Sequence, residues 1–395
     1  MPRHGRIEME TRALKKKSSQ LDWESKTEFI GSWFRKSPAY GNFRRLRAHI
    51  QIAMHKRCVA VLNDAMDSNW HCTLKRDVLY QVLTKQLAWF DAVDEYAKKN
   101  NSSMDEFRRR SADDALESIQ TNTAFCDDTR ATAPLKTLED VLKLNHENEL
   151  QWDTPSAMDL AFEIFLATNY FFKCEIGDKM EKKAIAMLKD IEQNSVDVQA
   201  LMTLEKDICQ YLSNEHAVPA TNPMLILAVR RVIASRFAPA YYIQESRKIA
   251  MDQQRYNNSM VQDHCLQLAQ NGLLDAGVDH RLITLTKSII AMQSMPILIP
   301  STILDSFMYT ISIIHKEVGL ALGVDSLSLS ADVIMPILIA ILAYVELPLL
   351  QAQLYALESI ALKDASVGGE AAYYVALLHS AAAAVVNDHS SYGNK

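Results

Sequence analysis

The feature that most limits the fold of this chain is a long stretch almost free of the residues that form turns. Glycine is absent from residues 42–176 and proline from 39–133, although the full chain has 11 of each. Strands need a turn about every ten residues, and those turns depend largely on glycine and proline. The stretch therefore predicts long helices. The chain has no Asn-Gly or Asp-Gly pair flanked by alternating apolar runs, which is the usual signal of a β-hairpin.

Apolar side chains recur at helical spacing along most of the sequence, which predicts an all-α fold. Residues 42–67 and 73–100 show this spacing, and residues 103–120 form a more polar helical segment. Further helices are predicted at 155–173, 178–192, 196–213, 223–237, 241–254, 258–271, 279–294, 301–321, 330–345, 347–363 and 369–387. Asn271-Gly272 is interpreted as the C-terminus of one of these helices.

Two loop-like stretches, 121–135 and 145–159, suggest where the chain divides. We expect a multi-helix N-terminal region over 1–150, a helical bundle over 151–240 and a second helical domain over 241–390. No repeat at a fixed period is visible, so a solenoid is not favoured.

Charge is spread unevenly along the chain. Residues 1–57 hold 14 Lys/Arg and 5 Asp/Glu, a balance of +9, so the rest carries −15 of the total of −6. The total argues against nucleic-acid binding. The basic start, especially 35–57, is either a solvated helix face or a contact for an anionic membrane or an acidic partner. The first residues contain no apolar segment typical of a secretory signal. The scattered cysteines suggest a reducing compartment.

The chain contains none of the common motifs for metals, cofactors or hydrolysis. The shortest gap between its six cysteines is 14 residues, which excludes zinc-finger and thioredoxin spacings. Phosphate-loop, dinucleotide-binding, HExxH and GxSxG patterns are missing. His264, His280 and His315 are interpreted as surface or core residues rather than ligands. We therefore expect no cofactor and no metal, and any site is expected to act on a macromolecular partner.

The most apolar run, residues 333–345, is preceded by an acid and contains a proline. It has 13 residues, and a membrane span needs about 20, so it predicts a buried core helix. Ser330 can cap this helix, and Asp332 lies in the first turn, where the helix dipole favours a carboxylate. Asp332 and Pro336 are four positions apart and are expected on one face of the helix start. A capping role alone would also account for Asp332.

A second polar and aromatic patch follows near the C-terminus, in the sequence GGEAAYYVALL at 368–378. Glu370 lies at the predicted helix start, and Tyr373 and Tyr374 are adjacent. Neighbouring residues of a helix point about 100° apart. One tyrosine is therefore expected to face the core and the other the solvent.

Three stretches in this order resemble the vacuolar-protein-sorting-nine (Vps nine) domain family. They are SADVIMPILIAIL at 330–342, ELPLLQAQLYALESI at 346–360 and GGEAAYYVALL at 368–378. The likeness covers roughly 200–390 and is sharpest over 329–380. The resemblance implies a Vps-nine-type layered helical domain in the C-terminal part of the chain.

The resemblance also implies a function: guanine-nucleotide exchange on a Rab GTPase of the early-endosomal (Rab-five) subfamily, without covalent chemistry. The protein would then be cytoplasmic and peripheral at endosomal membranes. Asp332 matches the family's acidic finger, which enters the nucleotide site. Pro336 matches the proline that shapes the same surface, and Tyr373 matches the tyrosine that holds the GTPase switch region.

The neighbours of Tyr373 are expected to contact the partner as well. These are Glu370, Tyr374 and Ala376. Ala376 stands where the family usually has a threonine, so a hydroxyl contact to the GTPase is missing. A second interpretation therefore stays open, in which the chain is a helical scaffold or Rab-binding adaptor with a weakened or inactive exchange domain. A small-molecule enzyme has no motif to support it.

Overall fold

The computed structural model describes residues 77–96, 137–144, 152–168, 198–243, 245–323, 329–363 and 367–392. Of these residues, 81% are helical and none lies in a strand, which confirms the all-α prediction. The predictions made for 35–57, 42–67, 103–120, 121–135 and 178–192 lie outside the described residues.

The described part of the chain contains twelve α-helices. They are α1 (78–96), α2 (Leu138–Leu142), α3 (Ala157–Thr168), α4 (Val198–His216), α5 (Pro223–Ile243), α6 (Ser246–Ser259), α7 (Gln262–Asp275), α8 (Thr286–Gln293), α9 (Pro300–Leu322), α10 (Ala331–Tyr344), α11 (Leu350–Ser359) and α12 (Gly369–Tyr392). Short 3-10 turns lie at His280–Leu282 and Ala361–Lys363.

Local capping explains where several helices begin and end. Before α3, the Ser156 hydroxyl accepts from the amide of Asp159, whose carboxylate accepts from the Ser156 amide, a reciprocal capping box. Asn222 caps α5 through the amide of Met224 at 2.9 Å. At the end of α9, Gly323 has φ of 65°, the left-handed conformation that glycine adopts without strain.

Several predicted helix boundaries are wrong. The helices expected over 241–254 and 258–271 are observed at Ser246–Ser259 and Gln262–Asp275. The helix expected over 279–294 is interrupted, because Asp279 accepts from the amide of Arg281 and caps a 3-10 turn, and α8 begins only at Thr286. The helix expected to end at 237 continues through Pro239 to Ile243. A contact from a distant part of the chain accounts for this continuation of α5.

Gln86 of α1 repairs the hydrogen-bonding gap that Pro239 leaves in α5. Proline has no amide hydrogen, so the carbonyl of Ser235, four residues earlier, loses its helical donor. The Gln86 side-chain amide donates to the carbonyl of Ser235 at 2.7 Å and to that of Arg236 at 2.9 Å. Gln86 is fully buried. Helix α5 therefore continues past Pro239, and the hydrogen bonds of Gln86 connect it to α1.

Two buried ion pairs connect α3 with α5. Arg231 pairs with Asp159 at 2.9 Å, and Arg236 pairs with Glu163. Arg231 also lies over the ring of Trp89 in α1, 5.4 Å from the ring centre. Burial raises the pKa of Glu163, and the charge of Arg236 opposes that shift in part. Removing either partner alone would leave a buried charge unpaired, which is strongly destabilising.

The segment 295–298 between α8 and α9 is buried and not helical, and side chains supply its backbone partners. Asp153 accepts from the amides of residues 297 and 298 at 3.2 and 3.0 Å. Gln353 of α11 donates to the carbonyls of residues 295 and 296 at 2.8 and 3.0 Å. The Tyr242 hydroxyl of α5 donates to the carbonyl of residue 297 at 2.7 Å.

The described helices share one hydrophobic core, which extends from Val78 in α1 to Val385 in α12. The boundary predicted between 240 and 241 falls inside α5. The division into 1–150, 151–240 and 241–390 stays a prediction.

Gln86→Leu should lower the free energy of unfolding by about 1–3 kcal/mol, because the Ser235 carbonyl becomes buried without a donor. In a Pro239→Ala background the residue at 239 again carries an amide hydrogen, so the same substitution should cost less. Urea unfolding of the four chains measures this coupling. An equal loss in both backgrounds would contradict the assigned role of Gln86.

Burial raises the pKa of Asp153, although the amides of segment 295–298 and Lys85, 3.6 Å away, lower it in part. A carboxyl with a raised folded-state pKa contributes stability at low pH that is lost as pH rises through that pKa. The free energy of unfolding of the wild type minus that of Asp153→Asn should therefore fall as pH rises above 3.8. Urea unfolding at stepped pH measures the difference, and a flat or rising curve would contradict this.

Candidate functional site

Asp332 is an exposed acid at the start of α10, a helix made almost entirely of apolar residues. Ser330 occupies the N-cap position of α10, but its side chain makes no capping hydrogen bond. Its carbonyl instead accepts from the amides of Val333 and Ile334 at 3.1 and 3.0 Å. Within the described part of the chain, the Asp332 carboxylate makes no hydrogen bond or ion pair. It is therefore open to a partner.

Behind Asp332, α10 is held by a dense apolar shell. Its fully buried residues are Ile334, Ile337, Leu338, Ile341 and Leu342. The helix packs against α7, α8 and α12. Burying each such side chain contributes about 1.5–3 kcal/mol, so a shift of the helix would be costly. The prediction of a buried core helix at 330–345 is confirmed, and α10 gives Asp332 a rigid support.

Pro336 faces inward, unlike Asp332. It is buried, and a Cβ placed on Gly272 of α7 would lie only 2.7 Å from its Cγ. The two candidate residues therefore do not share an exposed surface, and Pro336 contributes to the site by seating α10 on α7.

The prediction that Asn271-Gly272 ends a helix is wrong, because α7 continues to Asp275. Glycine occurs at 272 because the proline ring occupies the space of a side chain.

The two adjacent tyrosines of α12 point in different directions, as expected. Tyr373 is 43% exposed, whereas Tyr374 is 8% exposed. The Tyr374 hydroxyl lies 2.9 Å from Nε2 of His315 in α9. Burial raises the pKa of Tyr374, and Glu370 and Tyr373 add to the shift. Tyr374, expected to contact the partner, thus packs mainly inside the fold.

The remaining candidates are exposed on the same helix. Glu370 lies in the first turn of α12, and Ala376 follows Tyr373 by about one turn. The candidates lie on α10 and α12, which pack against each other. They divide into a set that faces outward and a set that faces inward. The outward set is Asp332, Glu370, Tyr373 and Ala376, and the inward set is Pro336 and Tyr374.

Sequence reasoning misses His315 and Gly272 as supports of the site. The sequence indicates only that His315 is a surface or core residue, and its contact joins positions 59 residues apart. No local pattern indicates such a contact. Gly272 does carry a signal, because glycine inside a helical pattern often has a packing reason.

A metal site and a membrane-spanning helix each place requirements on the described residues. No three His, Cys, Asp or Glu side chains in the described part of the chain lie close enough together to hold a metal ion. The segment Gly369–Asn387 is long and apolar enough to cross a membrane by length and composition alone, and 39% of its most apolar window is buried in the fold.

No protein-family model, curated protein or solved structure matches the chain. The resemblance to the Vps nine domain therefore depends on the residues quoted for it and stays a prediction. The Vps-nine-type layering of the helices stays a prediction as well.

Gly272→Ala should destabilise the protein by about 1–3 kcal/mol, because the new methyl group overlaps the Pro336 ring and must push α7 from α10. Adding Pro336→Ala should recover part of this loss. Gly368→Ala is the matched control, since a Cβ placed on Gly368 would meet nothing within 4 Å. Thermal and urea unfolding measure these differences. Equal effects at 272 and 368 would contradict the close contact.

Proposed function

We propose that this protein is a guanine-nucleotide exchange factor for a small GTPase of the early-endosomal Rab-five subfamily. The observation that carries the proposal is the Asp332 carboxylate, exposed at the start of a helix with eight residues buried in the core. Packing of the helix does not need an acid there, because its apolar face is buried against α7, α8 and α12.

The charge of Asp332 suits a competitor for a bound phosphate. A GTPase holds its nucleotide through backbone amides, a phosphate-loop lysine and Mg²⁺. A carboxylate that reaches this lysine can form a charge-assisted hydrogen bond in place of the phosphate and so stabilise the empty GTPase. By linkage, the nucleotide and the exchange factor lower each other's affinity equally. Such a protein catalyses exchange with no covalent step.

The support behind Asp332 also suits this role. An inserted acid is effective only if it is held in place before binding. Contacts with α7, α8 and α12 hold α10, and the buried Pro336 seats its first turns. On the neighbouring α12, exposed Tyr373 offers a large rigid ring for the switch region of the GTPase. Aromatic side chains of this kind often provide much of the binding energy at interfaces.

The cellular setting follows from the same proposal. The protein would act in the cytoplasm and peripherally at endosomal membranes, where GTPases of this subfamily work. The basic residues 1–57 are proposed as the membrane contact. Anionic lipids attract such a segment by about 1 kcal/mol per basic residue near the surface.

A second candidate function is favoured by one observation. Ala376 is exposed about one turn after Tyr373 and offers only a methyl group. A partner contact there lacks the hydrogen bond that a hydroxyl would provide. The chain would then be an adaptor that binds a Rab GTPase without accelerating nucleotide release.

Release of a fluorescent guanine nucleotide from a panel of purified Rab GTPases tests the proposal. We expect the wild-type chain to accelerate release from an early-endosomal member. Asp332→Ala and Asp332→Asn should each abolish most of the acceleration, because both remove the charge. Glu346→Ala is the matched control: it removes an exposed acid at the opposite end of α10 and should retain activity.

The outcomes separate the two candidates. Binding without acceleration, with acceleration gained in Ala376→Thr, would establish the adaptor. Absence of both binding and acceleration across the panel would overturn both. Equal loss in the Asp332 and Glu346 variants would overturn the role of Asp332.

A further inference from the structure

We infer that His315 of α9 is a positioning residue for Tyr373: it anchors Tyr374, and Tyr374 in turn sets where the Tyr373 ring lies. The functional consequence rests on the proposed exchange activity, while the positioning itself is a property of the fold. The inference follows from a chain of contacts that crosses from α9 to the exposed surface of α12.

The first contact fixes the Tyr374 ring. Nε2 of His315 lies 2.9 Å from the Tyr374 hydroxyl, and the two rings meet edge to face, 5.8 Å apart at 84°. Tyr374 is 8% exposed. A buried tyrosine with a hydrogen bond at its tip and a ring at its edge has little freedom to change rotamer.

The second contact passes this restraint to the surface. The Tyr373 ring packs against that of Tyr374 at 5.1 Å and 69°. Because Tyr373 is 43% exposed, much of its own surface has no packing to hold it. Its orientation therefore depends on the neighbouring ring. A preformed orientation lowers the conformational entropy lost when a partner binds.

The position of Tyr374 in α12 strengthens this role. The helix begins at Gly369, and Cβ atoms placed on Gly368 and Gly369 would meet nothing within 4 Å. Ala371 is buried but small. Tyr374 is thus the first large buried side chain of the helix, and its bond to His315 ties the start of α12 to α9.

In the exchange assay, His315→Ala should raise the concentration of exchange factor needed for half-maximal release roughly five- to tenfold, the effect of losing one hydrogen bond. The maximal rate should stay unchanged, because Asp332 belongs to α10. Tyr374→Phe should match it, and the double variant should add little further. His315→Gln keeps a polar group of similar reach and should restore part of the loss.

A second measurement needs no GTPase. With 3-fluorotyrosine placed at position 373 in the full chain, the fluorine NMR signal reports the surroundings of that ring. His315→Ala and Tyr374→Phe should move the signal, and His315→Gln should move it less. His379→Ala is the matched control, because it removes a different tie of α12, the 2.5 Å contact with Glu358 of α11. It should leave the signal and the half-maximal concentration unchanged.

These results decide the inference separately from the proposed function. An unmoved fluorine signal in His315→Ala overturns the inference, whatever the exchange assay gives. An equal shift in His379→Ala also overturns it, since the effect would then come from general loosening of α12. A wild-type chain that releases no nucleotide overturns the proposed function, and the fluorine signal still decides whether His315 positions Tyr373. Urea unfolding checks that each variant is folded.

Discussion

A buried backbone polar group must find a partner, and this constraint decides how the helices of the protein are joined. A regular helix pairs its own interior amides and carbonyls. The non-helical segment 295–298 cannot do so, and the carbonyl of Ser235 loses its helical donor because Pro239 has no amide hydrogen. Their partners come from far along the chain: Gln86 is 149 residues from Ser235, and Asp153 is 144 residues from Ile297. Gln86 connects α1 with α5, and Asp153 connects the start of α3 with the segment before α9. The described helices share one core from α1 to α12.

The shared core supports the surface that carries Asp332. Helix α9 begins directly after the repaired segment, and it carries His315, which holds Tyr374 of α12. Helix α10 lies against α12, and its Pro336 fits the space left by Gly272. Asp332 and Tyr373 are thus presented from two neighbouring helices that share one packed support. In the proposed exchange reaction, the acid would disturb the phosphate site while the tyrosine holds the GTPase.

The sequence predicts the apolar and amphipathic parts of the fold well. Periodic apolar residues predict most of the described helices, because the helical repeat is a local property. Both ends lie within three residues of the prediction in α4, α9 and α10, and at least one end differs by more in the other predicted helices. The different directions of Tyr373 and Tyr374 follow from the same repeat. The same reasoning fails for proline and glycine residues that lie inside a helix. Pro239 does not end α5 and Gly272 does not end α7, because each is accommodated by a side chain from another helix.

By itself, the sequence determined that the chain is helical, that 330–345 is a buried helix and that an acid precedes its apolar run. Each of these follows from residue type and spacing within one helix. Only the tertiary structure decided that Asp332 is exposed while Pro336 is buried, and that His315 supports Tyr374. Those facts depend on which helices pack together, and contacts between residues so far apart leave no periodic trace in the sequence.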